Sequence, residues 1–241
     1  MKDAIAKNIP AWLLKWYGSL HKKTSEFRGL SAEEVFTRIY SSNHWKSPES
    51  VSGTGSELEQ TKTLVEKLEK LLADMSITSI LDIPCGDFKW MQEVDLSRID
   101  YTGADIVEEL IKANQEKYKE KTNRRFMVLD LMHGRLPEKD LIVVRDCLVH
   151  FSFKDIRQAI KNITSSGSRY LLATTFTDYH TNYDIATGDW RRLNLQERPF
   201  NFPPPITIIN ENCTENNGEF ADKSLALWDI GVIRLSKEIK L

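Results

Sequence analysis

Three aspartates, Asp82, Asp105 and Asp130, each close a short apolar run, Ile80-Leu81, Tyr101-Thr102-Gly103-Ala104 and Phe126-Met127-Val128-Leu129, at nearly regular spacing along the chain. One strand-terminal aspartate is usually a turn or cap residue. Three in register are suited to holding a nucleoside, because a carboxylate at the end of a strand can accept both hydroxyls of a ribose. The first aspartate leads into Pro84-Cys85-Gly86-Asp87-Phe88, a turn whose backbone N–H groups would face a ligand at the sheet edge. A fourth apolar run ends in Arg145-Asp146-Cys147-Leu148-Val149-His150. Asp146 and His150 are the candidates to take the proton of an alcohol acceptor. Arg145 would either pair with Asp146 or hold an anionic group.

Two further segments carry groups fit for an acceptor. The first, Trp45 to Thr61, contains Ser50-Val51-Ser52-Gly53-Thr54-Gly55-Ser56. Its hydroxyls, with Ser52 and Ser56 as the candidates, suit an anion or carboxylate, although a polar linker with a helix cap would read the same. The second, residues 177–205, holds Tyr179, His180, Asn182, Trp190, Arg191 and Arg192. It is longer than a connection requires, and polar groups interleaved with aromatic faces suit a sugar or nucleotide-sugar.

The elements that must position these residues follow from periodicity. Ser31 and Glu34 form a capping signal ahead of Val35, Phe36 and Ile39, within an N-terminal helical cover over residues 1–55. A second capping box, Ser56 with Glu59, precedes a helix with Leu64, Leu68, Leu71 and Leu72 on one face. From there strands are predicted near 78–83, 101–106, 125–130, 140–145 and 169–176, with helices near 88–94, 107–119 and 153–164. This alternation gives βαβ units and a mostly parallel sheet. Ile206–Ile209 and Leu225–Ile230 read as two more strands, joined through Asn216, Asn217 and Gly218 into an antiparallel hairpin.

Residues 76–176 resemble the class I S-adenosylmethionine-dependent methyltransferases, whose motifs are an acid, turn and glycine, then a ribose-binding acid, then an acid beside adenine. The resemblance implies a Rossmann-like class I methyltransferase fold, α/β, with a seven-stranded sheet, helices on both faces and residues 56–241 as the methyltransferase domain. It implies S-adenosyl-L-methionine as cofactor. Asp82, Pro84, Gly86 and Asp87 would lie at its methionine half, Asp105 and Ile106 at the ribose, Asp130 and Leu131 at the adenine, and Arg145 nearby. One departure stands out: the superfamily usually has glycine where Pro84 and Phe88 stand. The strings Trp45-Lys46-Ser47-Pro48-Glu49-Ser50 and Asp82 to Phe88 are also similar to small bacterial methyltransferases associated with polysaccharide biosynthesis, which implies O-methylation of a carbohydrate-like small molecule.

Composition bounds the alternatives. With 241 residues, 41% hydrophobic, the chain has enough apolar residues for a core of its own. A formal charge of −2 offers no field for a phosphate backbone, and Asn201-Phe202-Pro203-Pro204 does not reproduce the Asn-Pro-Pro-Tyr signature of amino-group methyltransferases, so nucleic acid is not expected as partner. Three widely separated cysteines argue for a reducing, cytoplasmic setting. No metal-ligand cluster is expected. Lys15 interrupts the apolar patch at Trp12, Leu13 and Leu14, so neither signal peptide nor membrane span is expected. A nicotinamide-dependent oxidoreductase and a non-catalytic cofactor-binding subunit remain as alternatives; the former normally keeps Gly-x-Gly-x-x-Gly, which is missing.

Overall fold

The computed structural model describes residues 10–236. Two helices, α1 (Ala11–Thr24) and α2 (Ala32–Ser41), precede the sheet. The capping signal before α2 is realised in full: Ser31 accepts from the Glu34 N–H, and the Glu34 carboxylate accepts from the Ser31 N–H at 2.7 Å. The second expected box is not formed. Thr54–Ser56 makes a 3-10 turn instead, and α3 (Leu58–Asp74) starts after Glu57 with no side-chain cap.

Five strands run parallel: β1 (Ser79–Asp82), β2 (Asp100–Asp105), β3 (Arg124–Val128), β4 (Leu141–Val144) and β5 (Tyr170–Phe176). Helices α4 (Glu108–Lys117) and α5 (Phe153–Ser165) make crossovers between them. Strands β6 (Thr207–Asn210) and β7 (Lys223–Asp229) add the expected hairpin, with β7 inserted antiparallel between β5 and β6, before the closing helix α6 (Ile230–Leu235). The hairpin's turn puts Asn216 and Asn217 in left-handed backbone, a conformation asparagine tolerates better than most residues. The sheet order is β3-β2-β1-β4-β5-β7-β6.

Strands β4 and β5 are buried along their whole length, as their unbroken apolar runs require of strands covered on both faces. One face packs Leu81, Ile142 and Leu171 against α5 through Ile156, Ile160 and Ile163. The other packs Ile80, Leu141 and Leu172 against α3 through Leu64 and Leu68. Among the described residues no helix is long and apolar enough to cross a membrane.

The helix expected at 88–94 does not form; only Met91–Glu93 coil, as a 3-10 turn. The cause lies at Phe88, whose backbone is left-handed at φ 59°, a conformation that ends rather than starts a right-handed helix. It is the conformation glycine adopts freely. Here the ring contacts offset the steric cost: Phe88 is fully buried, with Tyr101, Tyr118 and Phe126 packed 4.9–5.3 Å away between centroids.

Candidate cofactor and acceptor site

Parallel pairing aligns the carboxyl ends of the strands, with Asp82 opposite Gly103 and Asp105 opposite Val128. A crevice opens along this edge, and Asp82, Asp105, Asp130, Arg145, Asp146 and His150 all line it. Pro84, Gly86, Ile106 and Leu131 line it too, as do Ser52 and Ser56. Asp87 is absent from the lining. Its carboxylate accepts instead from Ser50 Oγ at 3.0 Å and the Val51 N–H at 3.2 Å, and so anchors the segment that crosses the crevice.

Asp105 accepts one backbone N–H on each oxygen, from Val107 at 3.0 Å and from Gly86 at 3.2 Å. Burial outweighs these bonds and pushes its carboxyl up to about 6. Asp82 is pushed up to about 7 by burial, against the opposing pull of the Tyr101 hydroxyl, which donates to it at 2.7 Å, and of Arg145. Asp130 accepts from the Met132 N–H at 2.7 Å and pairs with His133 at 2.9 Å. Gly86 is left-handed at φ 52°, and a Cβ there would stand 2.1 Å from Ser52 Oγ, so both the turn and the close approach of the covering segment need glycine.

At the end of β4, Asp146 is left-handed at φ 49°, with its N–H donating to Thr174 Oγ1 at 2.8 Å. Burial works against its charge, but Lys223 at 2.6 Å and Arg145 at 3.4 Å prevail and hold the carboxyl down at about 2. Arg145 is itself paired with buried Glu211 at 2.7 Å, donates to the Gly55 carbonyl at 2.7 Å and stacks on Trp90. Burial lowers His150 to about 4, so its ring is neutral at pH 7. Its Nδ1 lies 3.1 Å from the Asp189 carbonyl. A carbonyl only accepts, so Nδ1 bears the hydrogen and Nε2 keeps its lone pair. The imidazole lies against Trp45, centroids 4.7 Å apart.

The covering wall comes from α2 and the segment after it: Phe36, Tyr40, Trp45 and Val51 line the crevice. The expectation for Trp45–Thr61 therefore matches the cavity. The expectation for 177–205 does not, since none of its six candidate residues lines the crevice. Arg191 is fully buried and donates to the carbonyls of Leu148, Val149 and Phe151 at 2.8–3.1 Å. Asn182 bonds the backbone of Asn194 and Arg198. His180 pairs with Glu197 at the surface, Arg192 stacks on Tyr179, and Trp190 packs on Phe220. These polar groups were read as ligand-facing because sequence cannot tell a side chain turned outward from one satisfying a carbonyl beneath it. The segment serves the site through backbone: Gly188 N–H donates to the His150 carbonyl and Arg191 N–H to that of Val149. Arg191→Leu would remove three buried side-chain hydrogen bonds and strip the Phe151 carbonyl of its guanidinium donor, while the Val149 and Leu148 carbonyls keep backbone donors; it is expected to cost about 1–3 kcal/mol, read as a lower urea midpoint at unchanged slope. Sequence reasoning also missed Glu211 and Lys223, for which only a lysine and a glutamate beside apolar runs could have served as a signal.

Residues 80–166 match a family described as methyltransferase domain. The sheet order fits a Rossmann-like class I methyltransferase fold with an antiparallel C-terminal hairpin. The cofactor is S-adenosyl-L-methionine. Among curated proteins no sequence match was found. Several solved structures are similar to this chain. The methyltransferase domain of bacterial CtHen1 is 14% identical over 49% of this chain and 66% of its own, TM-score 0.43. Magnesium protoporphyrin IX methyltransferase (ChlM) from Synechocystis PCC 6803 with bound SAM is 16% identical over 61% and 77%, TM-score 0.47. The PH0226 protein from Pyrococcus horikoshii OT3 is 20% identical over 58% and 60%, TM-score 0.42. This chain thus spans less than two thirds of the CtHen1 and PH0226 chains.

Proposed function

We propose that the protein O-methylates a small, polar, carbohydrate-like acceptor, such as a sugar or nucleotide-linked sugar precursor. The observation that carries the cofactor half of this reading is Asp105. Each of its oxygens holds one backbone N–H and retains acceptor capacity, the requirement for taking a pair of vicinal hydroxyls. Ile106 and Leu131 supply apolar walls for the base beside it, and Gly86 admits the methionine half under Ser52. The acidic lining complements a sulfonium cation. When bound, S-adenosyl-L-methionine supplies an electrophilic methyl group.

The acceptor side is built from an aromatic wall and a few polar groups, an arrangement suited to orienting a polyhydroxylated ring. Trp45 and Tyr40 offer flat faces, while Asp146, Ser52 and Ser56 offer hydrogen bonds. Asp146 stays ionised through any physiological pH and so is a poor proton acceptor. It is fitted instead to accept a hydrogen bond from the acceptor and fix its orientation. His150 is the base: it lines the crevice, is neutral, and with the hydrogen on Nδ1 keeps the Nε2 lone pair to take the proton of the attacking hydroxyl.

Incubating the protein and tritium-labelled donor with a fractionated cell extract tests the reading. Label is expected in a small carbohydrate-containing product. Label confined to protein or nucleic acid overturns the acceptor class, and donor binding without any transfer points to a non-catalytic subunit. Stabilisation against heat by NAD(H) but not by S-adenosylhomocysteine overturns the cofactor.

A further inference from the structure

Lys223 stands at the start of β7, on the hairpin that the sheet inserts beside β5, and is buried. Its ammonium reaches three carboxylates, Asp146 at 2.6 Å, Glu211 at 3.7 Å and Glu215 at 3.9 Å. Arg145 reaches two of the same three, Glu211 and Asp146. Two cations therefore hold three carboxylates, and the cluster gathers groups from β4, β7 and the connection after β6. Of these groups only Asp146 and Arg145 line the crevice. A buried lysine costs desolvation energy that a core position would avoid, and here it closes on the one carboxylate whose backbone is left-handed.

We propose that Lys223 is a positioning residue, which pins the Asp146 carboxylate as an anion at the rim of the crevice and so sets how the acceptor is oriented. The proposal rests on the role given to Asp146 above. Arg145 is too far committed to do this alone: its guanidinium spends its short contacts on Glu211 and Gly55 and reaches Asp146 only at 3.4 Å. The charged or titratable groups facing Asp146 are Lys223 from β7, Arg145 from β4 and His150 from the turn after β4, with Glu211 and Glu215 behind Lys223. Of these, Lys223, Arg145 and, more weakly, His150 favour the ionised carboxylate, against burial. Loss of Lys223 thus removes the largest favourable charge and leaves burial opposed by the more distant Arg145 and by His150.

The decisive measurement follows the side-chain carboxyl carbon of Asp146 by NMR in protein labelled with ¹³C at aspartate, the resonance being assigned by its loss in Asp146→Asn. In the native protein it is expected to stay flat from pH 4 to 8. In Lys223→Met its midpoint is expected to rise by about 1–3 on the pH scale, and Lys223→Arg to restore the flat profile. Because Lys223→Met adds a buried negative charge, the charge-balanced double variant Lys223→Met/Glu211→Gln is measured beside it. Calorimetric binding of S-adenosylhomocysteine reports that each variant is folded and holds the donor site. A flat Asp146 profile in both folded methionine variants overturns the proposal. A shifted profile, with labelled methyl transfer at pH 6 lowered at least tenfold and recovered in Lys223→Arg, supports it. A shifted profile with native transfer rates also overturns it, because Asp146 would then be held without consequence. Failure of the donor to bind the native protein would instead sink the cofactor reading and leave the carboxyl titration intact.

Discussion

His150→Ala is expected to slow methyl transfer by about 10²–10⁴-fold, the usual contribution of a positioned general base, while S-adenosylhomocysteine binds with native affinity. The expectation rests on the tautomer: the hydrogen is committed to the Asp189 carbonyl, and the other nitrogen keeps its lone pair. Single-turnover incorporation of labelled methyl measures it, and wild-type rates in the variant would remove His150 from the chemistry. The acid limb of the native profile adds a second check. Because burial lowers the ring to about 4, the base remains competent well below the ordinary histidine range, and no loss of rate traceable to it is expected between pH 5 and 7. Stability has the opposite dependence. The unfolded chain binds a proton on His150 that the folded one refuses, so between about pH 4 and 6.5 this group makes stability rise with pH, and above 6.5 its contribution is constant.

Asp105→Ala is expected to weaken S-adenosylhomocysteine binding at least tenfold, since each hydrogen bond to an ionised acceptor contributes roughly 1.5–3 kcal/mol. Titration calorimetry decides it, and unchanged affinity would remove Asp105 from the nucleoside site. The pH dependence follows from burial, which raises its carboxyl to about 6 in the free protein. Hydroxyl donors favour the ionised form, so binding near pH 6 is expected to release a proton, and affinity to fall as pH drops below about 6. Titrations in buffers of different ionisation heat read the released proton directly. For folding the sign is reversed from the usual carboxylate: a raised carboxyl stabilises the folded state most below its unfolded value, and that contribution is lost as pH rises through about 6.

The strands and their terminal acids were legible because the physics that makes them is local. A strand buried on both faces must be apolar throughout, as Leu141–Val144 is, and the polar residue that ends it marks the sheet edge. Parallel register then carries Asp82, Asp105 and Asp130 to one crevice, as their spacing anticipated. The C-terminal hairpin was legible from Asn216, Asn217 and Gly218 for the same reason. What was not legible is set by long-range order. Lys223 meets Asp146 across 77 residues because β7 inserts beside β5, and no property of either residue alone announces the meeting. The sequence pattern places a helix near 88–94, whereas Phe88 has left-handed backbone and its ring sits in an aromatic pocket formed by distant residues. The polar stretch 177–205 misled for a related reason: the Arg191 guanidinium satisfies carbonyls of the turn after β4, a demand written elsewhere in the chain, and the Asn182 amide satisfies carbonyls within the stretch itself.

The contact between His150 and Asp189 is made by a main-chain oxygen, 39 residues further along. A peptide carbonyl is the same in every amino acid, so evolution can rewrite the side chains of that strap without moving the hydrogen from one ring nitrogen to the other. Sequence drift along the strap and the tautomer of His150 are thereby separable in this architecture, provided the path of the main chain is kept.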